Sequence, residues 1–319
     1  MSHARSNICN LSQENSITRI DVSHLTATEF FNQYQKAGKP VIVTGILKNC
    51  DWNLDYLSHH LGEQEFLLRY YGNSRYQQDK RQWKNIGSGV EGQKLPFNKY
   101  GELLRNHQAH EKDIYLAKCS IKNTTLDSEN ILNKIGEYLG LHKAMSDFNI
   151  WVGPGDHIEC LHFDAVDGTL MQMHGAKKIV LFPPSQMYNL YPFPLSIHLQ
   201  HGLKLRSWFS QVYPEKPDFE AFPNLKIALQ HKYEIILNQG ELLYIPAGWW
   251  HEVTALGNEM VCSVNRFWQV PISRSITSWS VWRTYLGNLL AVPYVLSSVA
   301  IALCSPDRQQ KLKKIRQMF

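Results

Sequence analysis

No Cys-x-x-Cys pair occurs in this 319-residue chain. Its six cysteines, Cys9, Cys50, Cys119, Cys160, Cys262 and Cys304, are scattered through apolar segments. A disulfide framework is not expected in a chain this long, and free buried thiols in a reducing compartment are expected. No apolar run marks the polar stretch Met1 to Ser16, so no signal peptide is read there and a cytoplasmic location is expected. No internal repeat is evident, which excludes a solenoid. Nor is there a strong excess of one charge: 33 Lys and Arg stand against 28 Asp and Glu, a net +5. A dedicated nucleic-acid binder would be far more basic.

What is present is a chain 44% hydrophobic, ample for one large core. Residues 1–17 read as a flexible polar tail. Thr26-Ala27-Thr28-Glu29 reads as a capping box opening a helix that Gly38 ends. Pro40 to Thr44 reads as a short buried strand, Asp51 to Leu61 as a helix, Phe66 to Tyr71 and Ile114 to Cys119 as strands, and Leu126 to Leu139 as a helix by its apolar spacing. Residues 72–94 have no clear period and read as a long loop. From Phe148 to Trp268, short strand-like runs alternate with turn residues, the pattern of a closed barrel or sandwich. A proline-, histidine- and aromatic-rich insert, residues 183–231, interrupts that series and is expected to shape an entrance together with 72–94.

One triplet carries chemistry. His162-Phe163-Asp164 falls in an expected strand, where residues two apart project to the same face. His162 and Asp164 can then grip one ion while Phe163 points away. His251 follows Tyr244-Ile245-Pro246-Ala247-Gly248-Trp249-Trp250 at the start of another expected strand. Two histidines and one carboxylate on one face leave coordination positions open, the ligand set of non-haem Fe(II) oxygenases. His157, His174, His198, His201 and His231 lack ligand spacing and read as turn or pocket residues.

These motifs, with Met171 to Pro184, Gly240 to Pro246 and Val264-Asn265-Arg266-Phe267-Trp268, resemble the JmjC-type (cupin-like) Fe(II)- and 2-oxoglutarate-dependent oxygenases. The resemblance covers residues about 20–268 and is greatest to the small JmjC hydroxylases, tRNA wybutosine hydroxylase-like and asparaginyl hydroxylase-like. It implies a mainly β double-stranded β-helix (jelly-roll, cupin) with surrounding helices, a domain at 18–270 and a C-terminal helical extension at 271–319. It implies His162, Asp164 and His251 as iron ligands, with Fe(II), 2-oxoglutarate and O2 as cofactor and cosubstrates.

Lys177 matches the lysine that pairs with the distal carboxylate of 2-oxoglutarate. Lys178 is the adjacent alternative; Lys177 is favoured because Ile179 and Leu181 share its face. Tyr115 and Asn265 match further cosubstrate contacts, and Thr169 is a candidate beside them. The chain departs from the family pattern at Gly168, an asparagine in several relatives, and at Glu159, a threonine in the asparaginyl hydroxylase. The resemblance implies oxidative decarboxylation of 2-oxoglutarate coupled to hydrogen abstraction from a substrate C–H bond. Asp164 favours hydroxylation over halogenation, since the halogenases lack this carboxylate. With no reader module in view, hydroxylation of a protein, peptide or RNA-linked side chain is expected ahead of N-demethylation. The alternative from another class is a catalytically silent cupin-fold binding module.

After Trp268 the pattern turns helical. Tyr285 to Cys304 carries no charge, long enough to span a bilayer. A helix pair broken near Pro293 that packs on the core or mediates a homodimer is expected ahead of membrane association. Lys311, Lys313, Lys314 and Arg316 form a basic end.

Overall fold

The structure is a computed structural model and describes residues 15–316. The expectations for residues 1–14 and for Cys9 lie outside the described residues. The strands in chain order are β1 (Arg19–Asp21), β2 (Val41–Thr44), β3 (Glu65–Tyr70), β4 (Gly92–Pro96), β5 (Ile114–Ser120), β6 (Asn149–Gly153), β7 (Ile158–Phe163), β8 (Asp167–His174), β9 (Ala176–Phe182), β10 (Tyr233–Leu237), β11 (Leu242–Ile245), β12 (Trp250–Leu256) and β13 (Val261–Trp268). They form a nine-stranded sheet in the order β1-β2-β11-β8-β13-β6-β5-β3-β4 and a four-stranded sheet in the order β10-β9-β12-β7. Among the strands of the described residues, β1–β2 is the one parallel pair.

Strand parity distributes the core. In β9, Ile179 and Leu181 face inward and meet Leu243 and Ile245 of the opposite sheet. Val180 and Phe182 face outward, where Phe163, Trp250 and the insert cover them. The outer face of the large sheet, including Met171, Met173, Cys262 and Val264, is covered by the helices of residues 27–139. Two facing sheets with helices outside give the sandwich expected from the strand-rich texture and the jelly-roll that the family resemblance implies.

Several local expectations hold in detail. Thr26 and Glu29 form a reciprocal capping box, and Gly38 takes φ +63° where the helical segment stops. The segment 72–94 holds three short 3-10 turns and leads into β4. Other expectations are corrected. Residues 15–17 are not a loose tail: Ile17 is buried, and the Asn15 amide donates to the carbonyls of Lys232 and Gln230. Cys304 is exposed, while Cys160 and Cys262 are buried. The helix pair broken near Pro293 is one continuous helix, Trp279–Leu303. Proline removes one donor from the ladder, and Pro293 lies on the helix's exposed side.

Candidate metal centre

β7 and β12 run antiparallel with His162 directly opposite His251. Asp164 follows one residue after β7 ends. Ligand atoms of His162, Asp164 and His251 all lie within 4.8 Å of one another. His251 Nε2 is 3.7 Å from Asp164 Oδ2, and the two imidazole rings are 4.3 Å apart between centroids.

The donor set fits a divalent cation. His162 Nδ1 sits 2.8 Å from the carbonyl of Cys160, and His251 Nδ1 sits 3.1 Å from that of Trp249. A carbonyl only accepts, so each Nδ1 carries the proton and each Nε2 presents a lone pair. Burial, with His251 alongside, pushes the pKa of His162 down to about 3. His162 is therefore neutral at any physiological pH, the form a metal requires. Phe209 from the insert stacks on its ring at 4.7 Å, fixing its plane.

The triad opens into a cavity of about 410 Å³. Lys177 is buried there: its ammonium lies 2.5 Å from Ser263 Oγ and 3.4 Å from Tyr115 Oη. Burial pulls its pKa down to about 8. Lys178 points outward to Glu215 at 2.5 Å, so of the two adjacent lysines Lys177 is the one that faces the cavity. Tyr115 stacks on His157 at 3.7 Å. Gly153 makes that stack possible, because a Cβ there would fall 1.9 Å from the Tyr115 ring. Asn265 lines the cavity with its carbonyl oxygen accepting from the Trp151 indole at 2.8 Å. Thr169 is placed differently. It borders the cavity, but its hydroxyl accepts from the Trp268 indole at 3.0 Å on the outer face of β8, the face shared with Met171. Parity explains the difference: in β8 the inward positions are Gly168 and Leu170.

Glu159 also faces the cavity, although it lies an odd number of residues from His162. The pairing explains this: His162 faces His251, whereas Glu159 faces Val253, three steps on β7 against two on β12. Such a bulge inverts parity and re-aims the side chain. Burial raises the pKa of Glu159, opposed by His157, Arg69 and Arg75. A second bulge lies in β5, where the register shifts between Leu116 and Cys119. It gives Lys118 a φ of +52° and brings it to the cavity wall near Asp164.

Sequence reasoning missed Arg69, Tyr71, Ser263 and Arg206 and gave His157 no particular partner. His157 Nδ1 pairs with Asp113 at 2.7 Å, while His157 Nε2, Arg69 Nε and Tyr71 Oη lack protein partners. A cavity with several unpaired polar atoms is suited to a polar ligand. No local pattern marks these residues, because each comes from a different strand or loop.

The comparisons with known proteins agree with this geometry. A family model described as a cupin-like domain matches residues 27–274. A lysine-specific demethylase of Arabidopsis thaliana, JMJ31, is 27% identical over 284 residues, covering 77% of this chain and 48% of that protein. JmjC domain-containing protein D of Dictyostelium discoideum is 29% identical over 265 residues, covering 77% of this chain and 55% of its own. Lysine-specific demethylase 8 of Xenopus tropicalis is 28% identical over 263 residues, with 79% and 53% covered. The chain spans about half the length of these relatives.

Proposed function

The chain belongs to the cupin-like JmjC family of Fe(II)- and 2-oxoglutarate-dependent oxygenases, and from that membership we propose that it hydroxylates a C–H bond in the side chain of a protein, peptide or RNA-linked residue. The observation that carries the reading is the convergence of His162, Asp164 and His251 in the cavity that holds Lys177. Iron bound by the triad supplies O2 activation coupled to the oxidative decarboxylation of 2-oxoglutarate to succinate and CO2.

The chain's own residues do the rest. The Lys177 ammonium and the Tyr115 hydroxyl receive the distal carboxylate of the cosubstrate, and Ser263 orients the ammonium toward it. A charge-assisted hydrogen bond of this kind contributes about 1.5–3 kcal/mol. The Nδ1–H bonds of His162 and His251 hold both ligating nitrogens in one tautomer. Phe209 and Trp208 shield the triad from bulk water, and Lys118 and Arg206 line the same cavity, where an anionic or strongly polar substrate group would meet them.

A second reading has its own support. Relatives are named lysine-specific and arginine-specific demethylases. The same oxidation of an N-methyl group gives an unstable N-hydroxymethyl product that releases formaldehyde. Incubation with Fe(II), O2, 2-oxoglutarate and candidate peptides, followed by mass spectrometry, separates the two. Hydroxylation adds one oxygen mass to the peptide; demethylation removes a CH2 and yields formaldehyde in equal amount. Consumption of 2-oxoglutarate that no tested peptide stimulates would count against peptides as the substrate class.

A further inference from the structure

The helix Trp279–Leu303 packs against the domain along one side only. Val281, Arg283, Gly287, Ala291 and Ala302 are buried. Arg283 donates to the carbonyls of Phe193 and Ser207 at 2.7 and 3.3 Å, and Gly287 lies so close to His198 that a Cβ would fall 2.6 Å from its Nε2. These contacts hold the helix flat on the insert. Its other side is apolar and open: Trp282, Leu286, Leu289 and Leu296 are exposed, Leu289 to 66% and Leu296 to 64%. More than half of the exposed large hydrophobic residues among those described fall between Ile272 and Leu303. A patch of this kind marks a docking surface.

Charge says what docks. An apolar seam that pairs with another protein is normally flanked by charged residues that set register. Here no charged residue occurs from Tyr285 to Cys304. The next helix, Arg308–Arg316, instead carries Arg308, Lys311, Lys313, Lys314 and Arg316 with no acidic residue. Two of these are engaged, Lys311 with Asp307 at 3.0 Å and Lys314 with Glu91 at 3.7 Å, at solvent-accessible sites. Trp279, Trp282 and Tyr285 crowd one end of the open face, with both indole N–H groups already satisfied, by Tyr188 and by the Ile276 carbonyl. Aromatics at one end, an uncharged apolar face and an adjoining basic helix suit a bilayer surface that contains anionic lipid.

We propose that this face seats the protein on a membrane surface containing anionic lipid, with Leu286, Leu289 and Leu296 entering the acyl boundary and Arg308–Arg316 against the headgroups. The helix is one that is long and apolar enough to cross a membrane, but its packed side and the buried Arg283 assign it to the surface. A groove lined by Leu203, Arg206, Trp208, Asn288, Val292 and Leu296 runs beside it, and Arg206 and Trp208 also line the metal cavity. Docking would therefore bring the cavity wall to the bilayer.

The test is co-sedimentation of the full chain with phosphatidylcholine vesicles with and without phosphatidylglycerol, which needs no enzymatic activity. The expected result is binding to the anionic vesicles that weakens with salt. Leu289→Asp and Leu296→Asp should each lower partitioning at least ~10-fold, with the thermal melt unchanged. Combined Lys311→Gln, Lys313→Gln and Lys314→Gln should lose about fivefold per charge removed, on anionic vesicles only. Quenching of the wild-type tryptophan emission by brominated lipid gives the same answer without a variant, should one fail to fold. Absence of vesicle binding and of quenching would overturn the proposal. So would light scattering that shows a dimer dissociated by Leu289→Asp, which would assign the face to a second copy.

Discussion

Under the proposed function, Lys177 is the residue on which the cosubstrate side of the site turns. Its ammonium is buried, and desolvation lowers its pKa to about 8 against about 10.4 for a free lysine. The 2-oxoglutarate dianion pairs only with the protonated form. KM for 2-oxoglutarate is therefore predicted to be flat below pH 8 and to climb up to tenfold per pH unit above it. Lys177→Met should raise KM by about 10–100-fold and remove this pH dependence, read as initial rates of succinate formation across pH. The placement of the triad and Lys177 was legible in the sequence because His162, His251 and Lys177 sit in strands whose period of two sets their direction, and Asp164 directly follows β7. Thr169 borders the cavity but, its parity being opposite to that of Gly168, turns its hydroxyl to the Trp268 indole. Ser263, Arg69 and His157 were out of reach, since what gives them meaning is a neighbour from a distant strand.

At the scale of elements, the strand from β6 to β13 was read with little error, because alternation between two cores leaves a clear pattern. β1 and β4, with three and five residues, lack that alternation. The helix Phe97–Arg105 went unread beside the irregular segment before it. The β7 bulge had no sequence signal, yet it turns Glu159 toward Lys177 and Tyr115. The contact between β6 and β5 gives a sharp prediction. Gly153→Ala would place a methyl inside the Tyr115 ring, forcing that ring off His157. Overpacking of this kind costs about 1–3 kcal/mol, measurable as a lower urea midpoint. The displaced hydroxyl should also raise KM for 2-oxoglutarate.

Across the whole molecule, the sheet sandwich and the segment after Trp268 are tied together at one buried ion pair. Arg274 Nη1 meets Asp167 Oδ1 at 3.0 Å, and Asp167 is fully buried while also accepting from the Ala247 amide at 2.9 Å. Removing the cation would strand a buried carboxylate, at a cost of about 3–5 kcal/mol. Arg274→Met is therefore predicted to lower stability to denaturant by that amount, whereas Asp167→Asn with Arg274→Met together should recover part of it. The apolar content of residues 285–304 was plain in the sequence. That one side packs while the other stays open was not, because helical periodicity is weak in a segment apolar all round.

The most direct test is succinate release by the purified chain supplied with Fe(II), O2 and 2-oxoglutarate, measured for the wild type, His162→Ala and Asp164→Ala. If His162, Asp164 and His251 hold the iron, the wild type produces succinate, both variants lose at least ~100-fold of it, and all three melt alike. Equal succinate from Asp164→Ala and the wild type, or none from an iron-loaded wild type, would contradict the assignment of this cavity as an oxygenase centre.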